Sequence, residues 1–107
     1  MAENNGVDVL SEKEEYINLV KSYVENILCW RNICAVDANY AISNRWIIER
    51  LELKHEQGKN IIIIGGNREE RDFMEIVSWG LEFFRKERVF WARDITHIRA
   101  LECFLKF

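Results

Sequence analysis

Two groups of residues in this 107-residue chain have types and spacings that could do chemistry. The first is Gly65, Gly66, Asn67 and Arg68, joined across an expected strand pairing by Arg93 and His97. Glycines permit a tight turn, and free N–H groups at a helix start attract anions, so this rim would serve a phosphate-bearing ligand. The run is neither GxGxxG nor GxxxxGK[ST], and Glu69, Glu70 and Asp72 already put negative charge in the first turn. A self-capped structural turn is the plainer reading. The second group is Arg85, Lys86, Arg88, Trp91 and Arg99, with Phe90 interleaved. Cations beside aromatics bind single-stranded nucleic acid by phosphate contact and stacking. Here too a plainer reading exists, because Arg85 and Lys86 suit the negative end of a helix and Glu82, Glu87 and Asp94 dilute the patch.

Other chemistry is thinly represented. His55 and His97 are the only histidines and form no HxxxH or HExxH pair, so no metal centre is expected. Ser11, Ser22, Ser43 and Ser78 lack the context of a nucleophile elbow. Nothing singles out one carboxylate pair among 18 acids. The three cysteines, Cys29, Cys34 and Cys103, make an odd count that fits free, buried thiols in a reducing cytoplasm. No cofactor is implied, and the balance leans away from an enzyme.

Arg50-x4-His55 is similar in spacing to the Arg-x4–6-His signature of HEPN-type ribonucleases, with Leu51 where that family usually carries a polar residue. The resemblance implies an all-helical dimer with Arg50 and His55 in a nuclease site. The alternative places both residues on a polar helix face.

Positioning elements are clearest around Gly58–Glu70. Four consecutive β-branched residues, Ile61–Ile64, favour an extended backbone, and their lack of alternation suits a strand covered on both sides. Gly65-Gly66 ends the strand, and Asn67 with Glu70 resembles a capping box for a helix from Arg68 to about 86. Upstream, Ser11 and Glu14 form an S-x-x-E box opening a helix over about 11–35, whose apolar residues recur every three or four positions. A second helix covers about 38–57, with Asp37 as its cap, Trp46, Ile47 and Leu51 inward or flanking, and Gly58 as its stop. Val7–Leu10 could add an edge strand. Val89–Ala92 has strand composition ahead of a helix at about 95–106, with an unbroken 88–106 helix as the competitor.

These elements predict one domain over 1–107, α/β or α+β and helix-dominated. Three or four helices would pack on a two- or three-stranded sheet containing a strand-turn-helix unit at 61–86. Hydrophobic residues at 49% and charged residues at 31% describe a globular chain able to bury one core. Residues 1–25 hold six acids against two lysines, and the remaining chain is close to neutral, which does not suggest genome-scale DNA binding. The longest apolar-looking stretch, 27–48, contains Arg31, Asp37 and Arg45, so no membrane span is expected. Thirteen aromatics, four of them tryptophan, exceed the needs of so small a core and point to an interface, with homodimerisation one way to use it. The expectation is a small cytoplasmic, non-catalytic protein-binding module of the inhibitor, immunity or regulatory type. The alternative is a nucleotide or nucleic-acid binder using the rim or the 85–99 segment.

Overall fold

A computed structural model describes residues 6–65, 83 and 85–105. Its frame is a sheet of four parallel strands in the order β1-β2-β3-β4. These are β1 (Val7–Leu10), β2 (Ile33–Asp37), β3 (Asn60–Ile64) and β4 (Val89–Ala92). The isoleucine run forms β3, buried at every position, because neighbours pair along both edges and helices cover both faces. Val89–Ala92 is a strand, and Ile61–Ile64 pair with it in parallel register. The sheet therefore has four strands, not two or three. The extra one is β2, which the sequence reading absorbed into a helix.

The first helix ends much earlier than its apolar spacing suggested. Helix α1 (Glu14–Ser22) passes into a π-helical turn, Tyr23–Ile27, where the Leu28 N–H donates to the Tyr23 carbonyl at 2.9 Å. Cys29 and Asn32 then take left-handed backbone angles, φ 57° and 61°, and swing the chain into β2. Asn32 secures that reversal by donating its side-chain amide to the Gly58 carbonyl at 2.9 Å. Nor does the expected capping box form at the start of α1. Ser11 Oγ accepts from the Lys13 N–H instead, and Lys13 holds the cap position without a side-chain bond.

The single helix expected over 38–57 is two: α2 (Ala38–Ser43) and α3 (Arg45–Glu56). Asp37 caps α2 by accepting from the Asn39 N–H at 3.2 Å, and extended Asn44 (φ −140°) separates the pair. Gly58, at φ 94°, ends the connection to β3 with the left-handed geometry that glycine adopts without strain. The expected helix from Arg68 lies outside the described residues, apart from buried Phe83 near its end. The last helix is shorter than expected: α4 (Ile95–Ile98) gives way to a 3-10 turn, Arg99–Leu101.

Alternation sends odd and even strand residues into two cores. Ile33, Ala35, Ile62 and Ile64 meet Val20 and Val24 of the first helical segment and Ile98 of α4. On the other face, Cys34, Val36, Ile61 and Ile63 meet Ile47, Ile48 and Leu51 of α3 and Phe83. The β1-to-β2 and β2-to-β3 connections step the same way across the sheet yet cross opposite faces, so they have opposite hands. Crossovers are right-handed in about 98% of cases, which makes one of this pair uncommon. An ion triad holds edge strand β1: Asp8 lies 3.1 Å from Lys59 Nζ and 3.2 Å from Lys54 Nζ, and Lys59 also donates to the Gly6 carbonyl. Burial pushes the Asp8 carboxyl up, but hydrogen bonds and charge from the two lysines outweigh it and hold its pKa below the usual value. Among the described residues no helix is long and apolar enough to cross a membrane.

Candidate functional site

Ligands of open parallel sheets sit beyond the carboxyl ends of the strands, where successive connections leave for opposite faces. That condition is met between β1 and β2. After Leu10 the chain turns to α1 on one face, and after Asp37 it turns to α2 on the other. The ends diverge and leave a crevice of about 140 Å³ lined by Glu12, Lys13, Asp37, Asn39, Tyr40 and Ser43. Asp37 is tied down by its cap bond to Asn39, and the Ser43 hydroxyl donates to the Asn39 carbonyl at 3.0 Å. The Asn44 side-chain amide donates to the Tyr40 carbonyl at 3.0 Å and fixes the corner between α2 and α3. Nearby, burial pushes the Tyr16 phenol up to about 12, with the Asp37 and Asp94 carboxylates adding to the shift, so its hydroxyl stays protonated at neutral pH.

Binding pockets for drug-sized molecules run to roughly 300–1,000 Å³, so this crevice is sized for one polar side chain or a comparably small group. Its carboxylates, ammonium, amide and hydroxyl offer hydrogen bonds of both polarities. None of these six residues was singled out in the sequence as a site. Their signal is topological and cannot be seen until β2 is recognised as a strand. Among the described residues, no group of three or more His, Cys, Asp or Glu side chains could hold a metal ion.

The rim expected at the ends of β3 and β4 is partly present. Gly65 follows β3 at φ 89° and donates its N–H to the Ala92 carbonyl at 2.8 Å. The Arg93 N–H donates to His97 Nδ1 at 3.1 Å. Asp94 Oδ1 accepts from the Thr96 hydroxyl at 2.6 Å and the His97 N–H at 2.9 Å. These two bonds hold the Asp94 pKa below its usual value. Gly65, Arg93 and His97 thus share one end of the sheet, and these groups bond to one another or to nearby backbone. Gly66, Asn67 and Arg68 lie outside the described residues.

The basic segment is divided by the fold. Arg85 and Lys86 are exposed before β4. Arg88 is a clasp: at φ 65° its guanidinium donates to the Lys59 carbonyl at 2.8 Å and the His55 carbonyl at 3.3 Å, tying the end of α3 to the start of β4. Trp91 packs against the α3 core, and Arg99 follows α4 on the opposite face. The other histidine is also engaged by its neighbours. His55 Nε2 lies 2.6 Å from the Glu87 carbonyl and its ring meets Phe83 edge-on, while Arg50 is exposed on the outer side of α3. The parallel sheet also departs from the all-helical fold that the Arg-x4-His spacing implied. Of the thiols, Cys34 is buried and its pKa is raised to about 12 by that burial, whereas Cys29 and Cys103 are exposed.

Fold and crevice together define a small α/β domain with a four-stranded parallel sheet. Comparison with protein-family models, curated proteins and solved structures finds no match to this chain.

Proposed function

We propose that this chain is a small, non-catalytic protein-binding module of the inhibitor, immunity or regulatory kind. The observation that carries the reading is the outer side of α3. Trp46 is 50% exposed and Leu53 54% exposed on a helix whose inner side already buries Ile47, Ile48 and Leu51. An amphipathic helix needs only one apolar side for its own core. A second, with tryptophan on it, suits a protein surface, since tryptophan is enriched among residues that dominate binding energy. The crevice at the β1–β2 ends supports the same reading, because its volume suits a partner's side chain better than a nucleotide.

Native purification followed by mass identification of anything bound, with light scattering and the 260/280 nm absorbance ratio, tests this function. The expected result is a stoichiometric polypeptide partner, or a second copy of the chain, at a protein-like ratio. Saturable binding of nucleotide or short RNA at physiological salt, with no polypeptide partner, would transfer the assignment to the nucleic-acid class.

A further inference from the structure

On a helical wheel Trp46 and Leu53 lie within about 20° of each other and about 10 Å apart along the axis. They occupy the pole of α3 opposite buried Ile48 and Leu51. Glu49, Glu52 and Glu56 line one flank, enclosing Leu53 in a shallow depression of about 260 Å³. Among the described residues these three carboxylates form no ion pair; Arg50 stands on the other flank, and Arg45 lies at the N-terminal end of the acidic one. Trp46 is held in place, its ring meeting Tyr40 edge-on at 5.9 Å and 88°. An ordered aromatic reduces the side-chain entropy lost when a partner docks.

We infer that this surface docks a basic amphipathic helix of a partner protein, an inference that rests on the protein-binding reading above. The partner's apolar ridge lies along Trp46 and Leu53, and lysines or arginines on one edge face Glu49, Glu52 and Glu56. Apolar contact along the ridge gives affinity, as in other helix-docking grooves. The one-sided charge sets orientation and rejects acidic helices, because unlike charges steer the encounter while like charges across an interface are penalised.

The experiment titrates the isotope-labelled full chain with a designed helical peptide of about 20 residues, long enough to hold a helix. Its leucines recur at helical spacing and lysines line one edge; a second peptide carries glutamate in place of lysine. Saturable binding of the lysine peptide, with amide shifts concentrated over residues 45–56, is expected, and the glutamate peptide should not bind. Glu49→Gln, Glu52→Gln and Glu56→Gln combined should weaken binding about tenfold, as expected for three exposed charge pairs. Leu53→Ala should also weaken it. A charge-matched control, Glu14→Gln with Glu15→Gln and Glu102→Gln, should stay within about twofold of the original affinity. Urea unfolding of each variant checks that the fold persists. Equal binding of both peptides, equal loss in the control, or no binding by the lysine peptide overturns the inference. A native partner whose crosslinks avoid α3 also overturns it while leaving the protein-binding reading intact, whereas recovery of nucleic acid alone removes that reading too.

Discussion

Helices α1 and α3 cover opposite faces of the same sheet, and the contrast lies in what each shows to solvent. The first segment buries Val20 and Val24, and its exposed apolar side chains, Leu19 and Ile27, are eight residues apart on either side of the change to π-helical winding. Segment α3 buries a fuller stripe and still aligns two large apolar groups at its outer pole. Scattered surface leucines are ordinary in soluble proteins, whereas an aligned aromatic and aliphatic pair with carboxylates along one flank is organised. The difference teaches that one helix serves the fold and the other serves the fold and, on the present reading, a partner.

The strongest test of this contrast is in the core. Leu51→Ala should destabilise the domain by about 2–5 kcal/mol, the range for buried leucine truncations, as read from urea unfolding. Val24→Ala, with fewer atoms removed, should cost about 1.5–3 kcal/mol on the opposite face. A negligible effect of Leu51→Ala would place α3 outside the core and dissolve the comparison. Arg88→Ala should cost about 1.5–3 kcal/mol, since it removes charged donors from the Lys59 and His55 carbonyls and releases the end of α3 from β4.

A smaller effect is expected at the edge strand. The Asp8 pKa is lowered in the fold, so its ion triad contributes stability above the unfolded carboxyl value of about 3.9, and that contribution is lost as pH falls through the folded value. Asp8→Asn should remove this part of the acid dependence and cost about 1 kcal/mol or less at neutral pH. An unchanged slope of stability against pH below about 4 would show that the triad contributes nothing measurable. The smallest effect belongs to the outer pole. Leu53→Ser should shift unfolding by no more than about 0.5 kcal/mol, as for surface substitutions away from structural features, and Trp46→Ala by about 0.5–1 kcal/mol, because its ring also packs against Tyr40. A large loss at either position would make that residue part of the core rather than of a docking surface.

How much of this was legible in the residues varied with the strength of the local signal. Ile61–Ile64 announced a buried strand through χ1 stiffness, and Gly58 and Gly65 marked the turns around it. Strand β2 was hidden because Ile33 and Cys34 continue the three-and-four spacing of the preceding helix, and its burial on both faces removes the alternation that would have exposed it. The reversal before it uses Cys29 and Asn32 in left-handed geometry, with neither glycine nor proline to signal a break. With β2 unseen, the divergence at its carboxyl end was unseen too, and so was the crevice. Trp46 was expected inward or flanking because apolar spacing identifies an apolar side without saying how wide the buried stripe is. The break at Asn44 and packing against Tyr40 put its ring half in solvent.

The parallel sheet has an implication for how the chain folds. Val7 pairs with Ile33, Ile33 with Asn60, and Ile61 with Val89. Those separations are nearly equal, so loop-closure entropy differs among the three pairings by less than about 0.1 kcal/mol. Among the described residues no hairpin offers a short-range start, and contacts between distant residues slow the search. Chain connectivity therefore does not choose a first contact, and apolar content must decide it. Strand β3, isoleucine at four of its five positions and flanked by β2 and β4, is the expected nucleus. Conservative truncations at Ile62 should accordingly slow refolding, while equivalent changes at Val7 on the edge should mainly speed unfolding.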